Sequence, residues 1–250
     1  MSSPSSSFLL ADEGPVRWIT IHRPEARGAL HLEGRNELVA LLAAADNDEA
    51  VRCLVLTGTD PAFSAGVDLK ERNPLTPQDR RFRVNPGKAL RALRTPIICA
   101  VNGSCVTGGL EMALSCHFVI ASDRATFADT HAKVGILPGW GLSALLPRAV
   151  GVRMARQLSI TGARIDAGTA LRIGLVNEVV PHDGLLARVR EVASQVLECD
   201  ERAVRDLLQL YARGDGASLT EALALEEDAL VNRVNTAASD RRDAVLPRTE

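Results

Sequence analysis

Along the chain, short aliphatic or β-branched runs alternate with stretches in which apolar residues recur every three or four positions. Phe8–Ala11 and Val16–Ile21 flank Glu13-Gly14-Pro15 and read as two strands around a turn. Leu32–Ala45 has helical spacing (Leu38, Leu41, Leu42, Ala45) and ends at Asp46-Asn47-Asp48. Val51–Leu56 reads as a strand stopped by Thr57-Gly58, and Asp60–Gly66 as a loop. Val67 is expected to open a short helical turn through Glu71. Asn73–Gly87 is polar, carries Pro74, Pro77 and Pro86, and reads as a mobile surface segment. Lys88–Leu93 is a helix stopped by Thr95-Pro96, because a residue before proline is pushed out of the helical region.

The densest stretch runs from Ile97 to Ser122 and reads as strand, loop, helix and strand, with Gly108-Gly109 just ahead of a segment that carries the single carboxylate Glu111. Ala125–Ala128 is a further short strand, and Thr130–Gly139 an irregular loop. Helices follow at Leu142–Val150, Arg153–Ile160 and Asp166–Arg172, then a strand at Val176–Val180. After Pro181 the strand signal fades. Leu185–Cys199, Glu201–Ala212 and Leu219–Val234 have helical spacing, the last with a Ser218/Glu221 capping-box pattern. Strands near residues 51, 97 and 117, each followed by a helix, imply an α/β core with a mostly parallel sheet. The organisation expected is a disordered lead over 1–7, a core over 8–181 and a helical C-terminal region over 182–250.

Composition narrows the function classes. Of 250 residues 46% are hydrophobic but only 3% aromatic, so the core must be built from Ala, Val, Leu and Ile. A formal net charge of −2 leaves no electrostatic footprint for nucleic acid or an anionic membrane. MSSPSSS has neither a basic segment nor a long apolar one, and no stretch approaches the length of a membrane helix. Cys53, Cys99, Cys105, Cys116 and Cys199 show no metal-ligand spacing and read as reduced thiols of a cytoplasmic protein, with no metal expected. The sequon Asn102-Gly103-Ser104 is then coincidental.

Two short segments carry the candidate chemistry. In Phe63-Ser64-Ala65-Gly66-Val67-Asp68-Leu69 the small residues let a ligand reach the main chain, and the Val67 amide is expected at a helix start, where N–H groups favour negative charge. Gly108-Gly109 has the same setting ahead of Glu111. Two such amides aimed at one point would form an oxyanion hole, although glycines before helices also serve simply as turns. There is no GxSxG nucleophile elbow, no phosphate-binding P-loop and no GxGxxG after the first strand.

Ala62-Phe63-Ser64-Ala65-Gly66-Val67-Asp68-Leu69-Lys70-Glu71 resembles the first signature of the enoyl-CoA hydratase/isomerase (crotonase) family. Ala100-Val101-Asn102-Gly103 with Gly108-Gly109-Leu110-Glu111 resembles the second. Arg23-Pro24-Glu25-Ala26-Arg27, Gly135-Ile136-Leu137-Pro138-Gly139 and the stretch from Thr161-Gly162 to Asn177 resemble other family segments in the same order. The resemblance implies a spiral of repeated ββα units with a C-terminal helical region, assembled as homotrimers or hexamers. It implies an acyl-CoA thioester as ligand and no separate cofactor. By position, the N–H groups of Val67 and Gly108 would hold the thioester oxygen. Ala26, Ala65, Gly66, Asp68, Leu69 and Gly109 would line the coenzyme A path, with Asp68 acting through its backbone.

Glu111 matches the first catalytic glutamate of the family's hydratases; without the resemblance it is only a first-turn acid favoured by the helix dipole. The second glutamate falls on His131 here, in a register set by Phe127, Gly135 and Pro138-Gly139. A glutamate and a histidine can still divide acid and base work, with Asp129 placed to orient the ring, but a neutral histidine donates at one nitrogen where a carboxylate only accepts. The expectation is an enoyl-CoA hydratase. The alternatives are isomerisation, decarboxylation or thioester hydrolysis on the same enolate, or an acyl-CoA binder without catalysis. His22, His31, His117 and His182 read as structural or surface residues, and Trp140 either closes the acyl pocket or packs. Asp240-Arg241-Arg242-Asp243-Ala244 departs from the family's usual glycine- and phenylalanine-containing segment.

Overall fold

A computed structural model describes residues 6–70 and 84–232. Ten strands are described: β1 (Phe8–Glu13), β2 (Val16–Ile21), β3 (Cys53–Gly58), β4 (Ala62–Ser64), β5 (Ile97–Val101), β6 (Ser104–Val106), β7 (Phe118–Ser122), β8 (Thr126–Ala128), β9 (Arg164–Asp166) and β10 (Glu178–Val180). The helices are α1 (Leu32–Asp46), α2 (Pro86–Arg91), α3 (Gly108–Ser115), α4 (Leu142–Val150), α5 (Val152–Thr161), α6 (Ala167–Arg172), α7 (Leu185–Glu198), α8 (Glu201–Gly214) and α9 (Leu219–Asn232).

The strands form two sheets. The larger has the order β1-β2-β3-β5-β7-β10 and is parallel except for the β1–β2 hairpin. The smaller has the order β4-β6-β8-β9, with β9 antiparallel to β8. Each of β3, β5 and β7 in the large sheet is followed at once by a short strand in the small one, so the chain winds in repeated strand–strand turns. This is the spiral that the family resemblance implied.

The small sheet explains the main difference from expectation. Residues 62–64 and 104–106, read as loop, are strands β4 and β6. Three residues carry too little alternation to register as a period of two. The central strands β3, β5 and β7 of the large sheet were legible because both faces are covered there, so they read as continuous apolar runs. Ile19, Leu54, Leu56, Cys99 and Val119 face one way, toward Leu38 and Leu42 of α1 and Met112 of α3. Val16, Trp18, Val55, Ile98 and Ile120 face the other way, toward Leu185, Val189 and Ala193 of α7. Cys53, Cys99, Cys105 and Cys116 are buried free thiols and Cys199 is exposed.

Other expectations shift at their edges. Val67 is not the start of a helix but pairs with Leu30 in a parallel bridge, and the expected turn through Glu71 runs outside the described residues. Of Asn73–Gly87, only 84–87 are described; Asn85 caps α2, its Oδ1 accepting from the Lys88 N–H (2.8 Å), and Pro86 opens it. Ser7, counted with the disordered lead, is buried, and its N–H donates to Glu37 Oε2 (3.0 Å). The capping box at α9 forms: the Ser218 N–H donates to Glu221 Oε2 (2.8 Å) and the Glu221 N–H to Ser218 Oγ (3.3 Å). The chain divides into two compact units, 1–201 and 202–250, so α7 belongs with the sheets rather than with α8 and α9. Among the described residues no helix is long and apolar enough to cross a membrane.

Candidate active site

Three chain segments meet at the site: the β4 exit, the β6–α3 corner, and the loop after β8. At the first, the Leu30–Val67 bridge is made by Leu30 N–H to Gly66 O (2.7 Å) and Asp68 N–H to Leu30 O (3.1 Å). Those bonds flank residue 67, so the Val67 N–H points to the opposite side. At the second, Gly108 is the first residue of α3, and its N–H has no acceptor within the helix. Thr107, which precedes it, makes no side-chain cap bond to the helix. Among the described residues neither N–H has an acceptor. The two segments are in backbone contact. Gly66 has φ +85°, and a Cβ added there would lie 2.5 Å from Gly108 N. A Cβ on Gly108 would lie 2.8 Å from the Trp140 ring and 3.0 Å from Gly66 Cα. Both positions therefore require glycine.

Glu111 sits on the first turn of α3 and is 2% exposed. Its Oε1 accepts from the N–H groups of Trp140 (2.6 Å) and Leu142 (3.2 Å), the support a buried carboxylate needs. Its Oε2 lies 3.6 Å from His131 Nε2, an ion-pair distance too long for a hydrogen bond. His131, 5% exposed, is fixed from its other side: Asp129 Oδ1 accepts from the ring Nδ1–H at 2.7 Å and from the His131 backbone N–H at 3.1 Å. The histidine thus lies between two carboxyl groups, with Nδ1 committed to Asp129 and Nε2 turned toward Glu111.

The electrostatics follow from that placement. Burial acts to lower the His131 pKa, but the Asp129 hydrogen bond and the adjacent Glu111 and Asp129 charges outweigh it, raising the pKa from 6.5 to about 9. Burial acts to raise the Asp129 pKa, but the hydrogen bonds from the His131 ring and backbone and the His131 charge outweigh that and hold it below the usual carboxylate range. The two carboxylates thus favour the imidazolium form of the ring.

The remaining candidate residues lie along the Gly66 side. Ala26 ends a short 3₁₀ turn, and Ala65 is tied to Arg27 through its N–H (3.0 Å). The Asp68 carboxylate is occupied by Arg23 Nη1 (3.1 Å) and by the Lys70 N–H (3.1 Å), and its backbone N–H by Leu30 O (3.1 Å). Leu69 is 58% exposed, and Gly109 packs on Ser64. Trp140 is buried and its ring covers Gly108.

Two supporting groups escaped the sequence reading. Arg91 of α2 donates through Nη1 to Trp140 O (2.7 Å) and to Ser115 Oγ (2.8 Å), and Ser115 in turn donates to Glu111 O (2.7 Å). Arg91 therefore braces both the Trp140–Leu142 turn, whose N–H groups support the Glu111 side chain, and the helix turn that carries it. A lone cation beside Leu90 signals only a helix surface. Thr107 and Thr130 also join across the site, Oγ1 to Oγ1, at 2.6 Å.

The other histidines are engaged elsewhere. His22 pairs with Thr59 Oγ1 (3.0 Å), His31 caps α1, and His117 accepts from the Ile97 N–H (3.0 Å). His182 bridges Ser122 Oγ (3.0 Å) and Asp60 Oδ2 (3.1 Å). That is the composition of a nucleophilic triad, but Ser122 is completely buried and out of reach of a substrate. Among the described residues no cluster of His, Cys, Asp or Glu has the makings of a metal site.

Comparison with known proteins gives one consistent result. Residues 12–244 match a family model described as enoyl-CoA hydratase/isomerase. The short-chain-enoyl-CoA hydratase of Clostridium acetobutylicum is 36% identical over 245 residues, covering 96% of this chain and 93% of that protein. The crotonyl-CoA hydratase of Syntrophomonas wolfei is 36% identical over 228 residues, with coverages of 89% and 88%. Among solved structures, an enoyl-CoA hydratase from Mycobacterium avium is 45% identical with a TM-score of 0.77, covering 90% of this chain and 95% of that one. A Geobacillus kaustophilus enoyl-CoA hydratase subunit is 30% identical with a TM-score of 0.88 and covers 99% of each chain.

Proposed function

The chain belongs to the enoyl-CoA hydratase/isomerase family, and from that membership and the site we propose that it hydrates 2-enoyl-CoA thioesters. The observation that carries the reading is the pairing of Glu111 with His131, which faces Glu111 through one ring nitrogen while Asp129 holds the other. In this reading the thioester oxygen accepts from the Val67 and Gly108 N–H groups. Glu111 takes a proton from water as the oxygen bonds to the β-carbon. The double-bond electrons move toward the thioester, and negative charge develops on the oxygen that the two amides face. The resulting enolate collapses by taking a proton at the α-carbon, and His131, as imidazolium, is the group with a proton to give. Removing one donor of such an amide pair typically costs about 10²–10³ in rate.

The same proposal places coenzyme A along Ala26, Ala65, Gly66, Asp68, Leu69 and Gly109. It needs no cofactor beyond the coenzyme A of the substrate. It includes assembly as a homotrimer or a pair of trimers and a cytoplasmic setting. The test is incubation of the purified protein with crotonyl-CoA while the enone absorbance is followed. Turnover is expected, and Glu111→Gln should lower kcat by about 10²-fold or more. No loss of absorbance would sink hydration and favour another reaction of the enolate, or acyl-CoA binding without catalysis.

A further inference from the structure

Residue 107 has a backbone conformation that its side chain does not favour. Thr107 lies at φ 55°, ψ −114°, a region glycine reaches freely and a β-branched residue does not. Contacts must hold it there, and all three of its polar groups are engaged. Its N–H donates to Ala128 O (3.0 Å), its carbonyl accepts from the Glu111 N–H (3.0 Å), and its hydroxyl meets Thr130 Oγ1 (2.6 Å). The next residue is Gly108, with the N–H turned to the site. The residue after Thr130 is His131, and the one before it is Asp129. Two of the three anchors on Thr107 therefore end on the strand and loop that deliver the histidine, and the third ends on the residue that carries the opposing carboxylate.

We propose that the Thr107–Thr130 hydroxyl pair is a positioning device, tying the corner that presents Gly108 and Glu111 to the corner that presents Asp129 and His131. Neither threonine touches the reacting atoms; both act through their neighbours. The proposal rests on the hydratase reading for its kinetic test and is independent of it for its spectroscopic one.

Four single variants and one double variant decide it: T107V, T130V, T107S, T130S and T107V/T130V. Valine keeps the branched shape and removes the hydroxyl, whereas serine keeps the hydroxyl. With crotonyl-CoA, each valine variant should lower kcat at least about tenfold, because small misplacements of reacting groups are costly. KM should stay within about twofold, since the Gly108 N–H is the one substrate contact on the tied corners and its bond to the thioester oxygen strengthens as charge develops in the transition state. The double variant should be no slower than the worse single one, as expected when two residues share one interaction. The serine variants should retain kcat to within about threefold. The His131 ring titration, followed by NMR, should move to lower pH in both valine variants and in neither serine variant. Thr130 is not at positive φ, so T130V carries the test if T107V does not fold.

Wild-type kcat in T130V, losses that multiply in the double variant, or serine variants as impaired as valine ones would each overturn the proposal. If the wild-type protein does not turn over crotonyl-CoA, the hydratase reading fails alone. The His131 titration then decides, an unchanged midpoint in T130V overturning the tie.

Discussion

The raised pKa of His131 makes folding stability depend on pH in a direction that can be worked out. In the unfolded chain the ring titrates near 6.5, and in the folded protein near 9. A group whose pKa is raised by folding stabilises the native state fully below its unfolded pKa, and the contribution disappears as pH rises through the folded pKa. The gap between 6.5 and about 9 corresponds to about 3 kcal/mol. The charges that face the ring are the Asp129 carboxylate at 2.7 Å and the Glu111 carboxylate at 3.6 Å. The perturbation is His131→Gln, which keeps a polar side chain and removes the titrating group. Urea unfolding of both proteins, followed by tryptophan fluorescence between pH 6 and 9.5, measures the effect. Trp18 and Trp140 both lie in the unit formed by residues 1–201, so the signal reports the fold that holds the site. The stability advantage of the wild-type protein over His131→Gln should shrink by about 3 kcal/mol from pH 6 to pH 9.5. Parallel curves across that range would refute the charge assignment, and with it the role of His131 as the proton donor.

Two further perturbations address the supports of the pair. Asp129→Asn replaces the charged partner of Nδ1 with a neutral one; the basic limb of the kcat profile should move to lower pH and kcat should fall about tenfold or more, and an unshifted limb would remove Asp129 from the mechanism. Arg91→Met removes both bonds made by Nη1, to Trp140 O and Ser115 Oγ, and should lower kcat with little change in KM. Because a single nitrogen makes both bonds, Arg91→Lys should recover much of the loss, and equal damage from Met and Lys in the same crotonyl-CoA assay would show that the guanidinium shape matters instead.

Some of this was legible in the sequence for definite physical reasons. The large sheet declared itself because both faces are buried, so β3, β5 and β7 are unbroken apolar runs. The site glycines were legible because Gly66 and Gly108 sit where a Cβ would strike backbone or an indole. Asp129 lies two residues from His131, and so short a separation suggests contact directly. The supports at long range were not legible. Arg91 reaches a carbonyl 49 residues away, and nothing local to α2 distinguishes it from an ordinary surface cation. The conformation of Thr107 ran against its residue type, since turn chemistry predicts glycine for such a φ and the sequence offers threonine.

In the proposed hydratase reading, histidine at the position the family resemblance gives to a second glutamate keeps the same proton inventory. A pair of glutamates sharing one proton has a net charge of −1 and one proton to transfer. In this chain an imidazolium stands between Asp129 and Glu111, and with Glu111 as the carboxylate its base role needs, the trio also has a net charge of −1 and one proton facing the site. Asp129 is then part of the replacement rather than an accessory. Without its charge the buried ring would hold its proton less tightly, because Asp129 is one of the two carboxylates that raise its pKa. The donor also differs in kind, because its proton leaves a cation rather than a neutral acid. Moving it to the enolate carbon removes charge from both partners at once, where a carboxylic acid would form a new buried anion. The reaction that such a pair serves best is one that ends in protonation of an enolate, as hydration does.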